Sequence, residues 1–304
     1  MPAIHITVVL TCAVLVLLIV KAFLAPRLLR AWLGVKRNDG GPTVWQDRVE
    51  LRYQDLDTGL WMFARYKLRL DAMFRELPGF VKDIPTIRTA LDLGCGRGVA
   101  GCSLLEWYPE LTLYGIEPNP KWVRAAAAAF GERGRVFQAG APDFEVPALP
   151  DRLDAVFALD MIHFLNDSEL DLTLRRIRTR LDEGAHFILR APMAPEGSGS
   201  LLWDLDKITR KLNGTYACFR TPEGISQAIT RAGFRIIHIQ MSGANRELCW
   251  FIATASSENG KPLDPAHSTE EPAQENHAGH HEPDADVNPN QGAQVPAAEF
   301  IPSL

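Results

Sequence analysis

The chain lacks paired cysteine motifs. Its five cysteines (Cys12, Cys95, Cys102, Cys218, Cys249) are an odd number with no C-x-x-C spacing, which excludes a zinc ribbon and a dithiol redox motif and leaves reduced thiols as the expectation. Basic clusters interleaved with aromatics are also missing, which excludes an extended nucleic-acid surface. Internal repeats are absent. Basic residues nearly vanish from the last part of the chain, where Lys261 stands alone against nine acids between residues 256 and 304. That segment carries about −8 of a net charge of −5, so the remainder is near +3. Rich in Pro, Ala, Asn, Glu and His, it has too little apolar surface to order itself and reads as a disordered acidic tail. His277, His280 and His281 lie there among acids, but Gly and Pro interrupt any fixed geometry, so no metal site is expected.

What is present is concentrated in the stretch from Thr89 to Gly101, where an apolar strand runs into glycines and a helix follows at once. Gly94 and Gly96 can take backbone angles closed to other residues and let a ligand lie against the main chain. Gly98 is expected to allow the next helix to pack closely on the strand. After an apolar helix (Val99–Tyr108) and a turn at Pro109-Glu110, a second strand (Leu111–Ile116) ends in Glu117-Pro118-Asn119-Pro120, and a helix from Lys121 to Phe130 follows. An acid about twenty residues beyond such glycines can accept hydrogen bonds from both ribose hydroxyls. No arginine follows that would favour a 2′-phosphate. Spacing alone is shared with dinucleotide-binding folds. A third strand, Val136–Ala139, leads to Gly140-Ala141-Pro142-Asp143-Phe144. The buried strand Leu153–Ala158 leads to Leu159-Asp160-Met161-Ile162-His163, where Asp160 and His163 are the titratable groups.

The wording Leu91-Asp92-Leu93-Gly94-Cys95-Gly96-x-Gly98 resembles the first motif of class I S-adenosylmethionine (SAM)-dependent methyltransferases, and the resemblance extends roughly from Ile87 to Ala255. It implies an α/β, Rossmann-like seven-stranded sheet of order 3-2-1-4-5-7-6, the last strand antiparallel, with helices on both faces. It also implies a set of SAM contacts. Asp92, Gly94, Cys95, Gly96 and Gly98 would sit at the amino-acid end of SAM, with Cys95 present for its size and no catalytic duty. Glu117 and Pro118 would serve the ribose. The family usually carries Gly-Asp-Ala after its third strand, the acid contacting the adenine amino group. Here Ala141 stands in the acid's place, which leaves adenine to backbone groups at Gly140 and Ala141, or to Asp143 if that residue is not a surface carboxylate. Asp160 and His163 would face the transferred methyl group. Either one acts as a general base, or Asp160 orients SAM and His163 is a satisfied pocket histidine.

The order of elements continues as the resemblance requires. A helix is expected from Ser168 to Leu181, capped by Asp167 or Ser168 and stopped at Gly184. The strand Ala185–Leu189 follows, then a Gly/Ser stretch (Gly197–Ser200) before a helix from Leu201 to Leu212. Thr221-Pro222-Glu223 opens another helix closed by Gly233, and the strands Phe234–Met241 and Leu248–Thr254 finish the domain. Gly197–Arg220 is longer than a plain crossover needs and is the expected acceptor-binding cap, with Trp203, Tyr216 and Phe219 as pocket walls.

The flanks differ in character. Ile6–Val20 is an uninterrupted run of mostly apolar residues, extended by Ala3-Ile4 and by Ala22–Leu24 around Lys21, and its roughly twenty residues suffice to span a bilayer. A cleaved signal peptide would place positive charge before the run and small residues after it. Here Lys21, Arg27, Arg30, Lys36 and Arg37 follow it, which puts the carboxyl-terminal side in the cytoplasm. Pro26–Val35 reads as a basic amphipathic segment on the inner leaflet or as the solvated end of the span. Between Thr43 and Val81, helical spacing with Trp45, Trp61, Phe63, Tyr66 and Phe74 predicts leader helices that cover the cofactor and acceptor pocket.

The organisation expected from sequence is therefore a single-pass inner-membrane anchor (1–25), a basic juxtamembrane segment and leader (26–86), a cytoplasmic SAM-dependent methyltransferase domain (87–255) and a tail (256–304). The expected acceptor is a small, lipid-like molecule reached from the membrane. Two rival readings use the same fold: an anchored, non-catalytic SAM-fold scaffold, and an aminopropyl transferase, which needs polyamine-gripping carboxylates not found in the sequence.

Overall fold

The computed structural model describes residues 28, 30, 32–34, 44–84, 86–194, 217–243 and 247–256. All fall within Met1–Glu196 and Ala217–Leu263, one of two units of the chain. The expected anchor (1–25), the helix Leu201–Leu212 and the tail beyond Ser256 lie outside the described residues. Among the described residues no helix is long and apolar enough to cross a membrane.

Three leader helices come first: α1 (Trp45–Gln54), α2 (Thr58–Leu70) and α3 (Met73–Val81). The Asp57 side chain starts α2 by accepting from the backbone N–H groups of Gly59 and Leu60 at 2.8 and 3.1 Å. A parallel βα succession follows: β1 (Thr89–Leu93), α4 (Val99–Trp107), β2 (Thr112–Glu117), α5 (Pro120–Phe130), β3 (Gly134–Gln138), β4 (Leu153–Leu159), α6 (Asp167–Arg180) and β5 (Leu181–Pro192). Helix α7 (Pro222–Arg231) and strands β6 (Phe234–Ser242) and β7 (Leu248–Ala255) complete it. The sheet order is β3-β2-β1-β4-β5-β7-β6, with β7 antiparallel to both its neighbours, as expected from the sequence. Central strands β1 and β4 are buried almost throughout, which is why they read as continuous apolar runs and not as alternating ones.

One boundary differs from expectation. The N-cap of α6 is Asn166, not Asp167 or Ser168: its side chain accepts from Glu169 N–H at 3.0 Å while the Glu169 carboxylate accepts from Asn166 N–H at 2.8 Å. The helix ends at Arg180, before Gly184. Leu181 is fully buried and pairs with Leu153, so the chain must become extended as soon as it enters the sheet. Gly184, at φ +82°, therefore lies within β5.

Two apolar clusters fill the domain. One packs α6 and α7 with β4, β5 and β6 through residues such as Leu174, Phe187, Ile229 and Phe234. The other joins the leader to α4 and α5 through Tyr53, Trp61, Phe74, Leu77, Leu104 and Phe130. Each fully buried leader aromatic stabilises the fold by roughly 1.5–3 kcal/mol through apolar area removed from water. Polar ties fix the same contact. Glu106 on α4 accepts from Arg48 and Arg52, both at 2.7 Å. Glu76 on α3 accepts from Trp250 Nε1 at 2.7 Å, Ser242 Oγ at 2.5 Å and Gly243 N–H at 3.0 Å. The fully buried Glu50 is satisfied by Trp61 Nε1 and Arg65 at 2.8 and 2.7 Å and by Arg69. The leader is thus an integral wall of the domain.

Candidate active site

In an open α/β sheet, ligands bind beyond the carboxyl ends of the strands where strand order reverses, here between β1 and β4. The glycine loop leaves β1 at this point. Gly94 has φ +74°, and a Cβ there would fall 2.7 Å from the Met161 Cβ. Gly96 has φ +56°, and among the described residues a Cβ would meet nothing within 4 Å, which leaves room there for a ligand. Gly98 caps α4 but faces α5 and not the strand: a Cβ would lie 2.8 Å from Phe130 Cε1. The helix-to-strand contact expected of Gly98 is made instead by Gly101, whose Cβ would fall 2.5 Å from Phe130 Cζ and 2.7 Å from Leu113 Cδ2. With Gly115 and Gly134 on its other sides, the Phe130 ring occupies space cleared by four glycines.

Glu117 ends β2 beside this loop and is buried. Its Oε2 accepts from Gly96 N–H at 3.0 Å and its Oε1 from Asn119 N–H at 2.8 Å. Burial raises its carboxyl above the ordinary range, and these two N–H donors oppose the rise. Asp92 lies on β1 opposite Gly115, two residues before Glu117 in the pairing register. Among the described residues its Oδ2 has no hydrogen-bond partner. Burial first, and the neighbouring Glu117 charge second, push the Asp92 carboxyl up to about 7. Burial and the same two acids raise the Cys95 thiol well above its usual value, which fits a space-filling residue and not a nucleophile.

After β3, Gly140 stands close to Pro118, 3.6 Å separating a notional Cβ from the Pro118 Cβ. Ala141 packs against the apolar cluster. Asp143 is turned to the surface, its side chain 83% exposed and paired with Arg176 at 2.6 Å. Arg176 also donates to the Pro142 carbonyl at 2.6 Å, which fixes the loop from outside.

Beyond β4, Asp160 adopts φ +57°. Its carboxylate accepts from Arg190 Nε and Nη2 at 2.8 and 2.7 Å. On its other side Arg190 donates to both oxygens of Asp71, at 2.8 and 3.3 Å, and Lys67 reaches Asp71 at 2.9 Å. Burial alone would raise the Asp71 carboxyl, but Arg190 and Lys67 hold it well below the usual carboxylate range. Burial alone would lower the Arg190 guanidinium, which Asp160 and Asp71 instead keep firmly charged. With both oxygens gripped by one guanidinium, the Asp160 carboxylate is fixed in place at the end of β4. His163 is buried in the turn Ile162–Phe164, with ring centroids of Phe164 and Phe219 at 4.0 and 6.0 Å and the Phe219 plane inclined by only 5°. Phe219 is thus brought to His163, whereas Trp203 and Tyr216 lie outside the described residues.

Sequence reasoning passed over three participants. Asp71 and Arg190 are 119 residues apart, and the available signal was a lone arginine at the end of the apolar run Phe187-Ile188-Leu189. Arg97, inside the glycine loop, has its carbonyl held by the Tyr53 hydroxyl at 2.8 Å, and its guanidinium lies over the rings of Phe63 and Trp122, 4.0 and 5.6 Å from their centroids.

Comparison with known proteins agrees with this geometry. Residues 90–184 match the family described as "Methyltransferase domain". An uncharacterized methyltransferase of Geobacillus thermodenitrificans is 27% identical over 124 residues, 39% of this chain and 56% of that protein. The 6-hydroxytryprostatin B O-methyltransferase of Aspergillus fumigatus is 26% identical over 154 residues, 50% of this chain and 44% of that protein. The chain therefore spans about half the length of the curated relatives it matches. A SAM-dependent methyltransferase structure from Mesorhizobium loti superposes with a TM-score of 0.51 at 19% identity, covering 62% of this chain and 99% of that one. Strand order and sequence match agree: residues 90–184 match a methyltransferase domain, and the seven-stranded sheet that carries them has a Rossmann-like methyltransferase fold.

Proposed function

We propose that the chain transfers a methyl group from SAM to a small-molecule acceptor. The observation that carries this reading is the Gly94–Gly98 loop, open at Gly96 and bonded there to the buried Glu117. When bound, SAM supplies an electrophilic methyl group on a sulfonium. The loop and Glu117 hold its amino-acid and ribose ends, and backbone at Gly140 and Ala141 holds adenine. Asp160, locked by Arg190, fixes the wall beside the methyl group, so that catalysis rests on orientation in a dry pocket. His163 takes the acceptor proton where one must leave. That the Aspergillus relative is an O-methyltransferase supports oxygen as the atom methylated.

The acceptor is an apolar molecule resident in the inner membrane, to which residues 1–25 anchor the domain on the cytoplasmic side. Supporting this are the apolar run with its following basic residues, and Leu28 and Trp32. These two stand one helical turn apart, 67% and 82% exposed, an arrangement suited to the lipid–water boundary. The test is calorimetric titration of the detergent-solubilised full-length protein with SAM, paired with lipid extracts of cells with and without the protein after feeding methyl-labelled methionine. Saturable SAM binding and a labelled lipid found only with the protein are expected. No SAM binding overturns the enzymatic reading, and a water-soluble labelled product overturns the apolar acceptor.

A further inference from the structure

Arg97 is the charged side chain of the glycine loop, and among the described residues its guanidinium has neither a carboxylate within ion-pair distance nor a hydrogen-bond partner. Its neighbours are two aromatic faces, Phe63 from α2 and Trp122 from α5. Burial lowers its pKa from the ordinary arginine value with no anion to offset the effect. A cation half withdrawn from water in this way gains by meeting an opposite charge. Its backbone is not free to swing away, because Tyr53 of α1 holds the Arg97 carbonyl at 2.8 Å and Gly96 is tied to Glu117 at 3.0 Å. The structure thus holds a half-buried guanidinium against two rings, on the loop residue that follows the open Gly96.

The nature of the missing anion follows from the surroundings. Asp92 and Glu117 are buried next to the same loop, so a pyrophosphate, with two or more negative charges, is opposed by fixed acids. A single carboxylate on a ligand that also carries positive charge suits both groups. Resting on the SAM reading of this site, we propose that Arg97 binds the α-carboxylate of SAM, with Phe63 and Trp122 presenting the guanidinium in a fixed plane. Two leader helices then complete the cofactor site, α1 through Tyr53 and α2 through Phe63. The site also selects among donors: decarboxylated SAM, the donor for aminopropyl transfer, lacks the group that Arg97 holds.

Calorimetric titration of the full-length protein in detergent with SAM and with decarboxylated SAM tests this. The unsubstituted protein is expected to prefer SAM by about 10- to 100-fold, the range for a charge-assisted bidentate contact. Arg97→Gln should weaken SAM by a similar factor and leave decarboxylated SAM within about threefold, so that the preference collapses. Arg97→Lys keeps the charge but not the planar stack and should retain an intermediate preference. Equal losses for both ligands in Arg97→Gln would make Arg97 a structural residue and overturn the proposal, as would an unsubstituted protein that does not discriminate. Should Arg97→Gln fail to fold by its thermal melt, the Lys variant decides: an unchanged preference overturns the proposal. Failure of the unsubstituted protein to bind either ligand removes the cofactor reading itself, a result distinct from lost discrimination.

Discussion

Asp160 and Arg190 are joined three times: the Asp160 N–H donates to the Arg190 carbonyl at 2.8 Å, and Arg190 Nε and Nη2 donate to the Asp160 carboxylate at 2.8 and 2.7 Å. The triple link holds the ends of β4 and β5 in one arrangement, at an Asp160 backbone angle that non-glycine residues seldom adopt. Because Arg190 grips Asp71 as well, the end of the leader helix α2 is fixed to the same point.

Removing the guanidinium should therefore cost more than a surface ion pair. Arg190→Met leaves two half-buried carboxylates facing each other, and a destabilisation of about 3–5 kcal/mol is expected, as for a buried pair that loses one partner. Urea unfolding followed by tryptophan fluorescence reads this directly. A loss below about 1 kcal/mol would place the cluster among ordinary surface pairs.

Glu117→Ala should weaken SAM binding by about 1.5–3 kcal/mol, the range for hydrogen bonds to a charged group. The loop loses its Gly96 and Asn119 ties at the same time, so the effect belongs at the upper end. Titration calorimetry measures it, and unchanged affinity would remove Glu117 from the ribose site.

The Asp92 carboxyl, raised from 3.8 to about 7, makes stability depend on pH. Between those values the folded protein holds a proton that the unfolded chain has released, so stability contributed by the protonated acid is present in full below about pH 4 and falls as pH rises through about 7. Asp92→Asn removes this dependence. It should be more stable than the parent at pH 8, by at most about 4 kcal/mol at 1.36 kcal/mol per pKa unit, and the two should converge near pH 4. Urea titrations at pH 4, 6 and 8 test it, and a constant difference across that range would show that Asp92 does not titrate there.

For the anchor, the basic residues after the apolar run predict that everything from Lys36 onward is cytoplasmic and that the protein resists extraction by high salt or alkali. Removing residues 1 to 40 should sharply lower methylation of a bilayer-embedded acceptor and spare the same acceptor in detergent. A reporter fused after Leu304 that is active only outside the cytoplasm would reverse the orientation.

The parts of the molecule legible in sequence are those fixed by neighbours along the chain. The apolar runs before Gly94 and Glu117, each followed by an apolar helix, carry the βα order, and with the resemblance they carry the strand order too. Local ambiguity misplaced the start of α6: Asn166, Asp167 and Ser168 are all capping types, and only Asn166 puts Glu169 at the position that closes the reciprocal bond. Distance along the chain hid the rest. Nothing near Asp71 indicates Arg190, and nothing near Arg97 indicates Tyr53 or Phe63, because these contacts exist only once the leader folds over β1 and α4. Gly98 was legible as a glycine but not for its partner, since α5 approaches it from another βα unit.

The Phe130 ring among Gly98, Gly101, Gly115 and Gly134 bears on how such a domain can diverge. A methyl group at Gly101 collides with the ring, at a cost of about 1–3 kcal/mol for overpacking. A smaller residue at Phe130 leaves a void that four glycines cannot fill, and large-to-small changes of a buried phenylalanine cost about 3–5 kcal/mol. Either step alone is harmful, yet together they compensate: Gly101→Ala with Phe130→Leu should lose less than the sum of the two. In descendants of a common ancestor Phe130, Gly101, Gly115 and Gly134 are therefore expected to change in concert, while Gly98, at φ +85°, stays glycine for its backbone angle; a lineage that has lost the phenylalanine should carry side chains at the other three glycines.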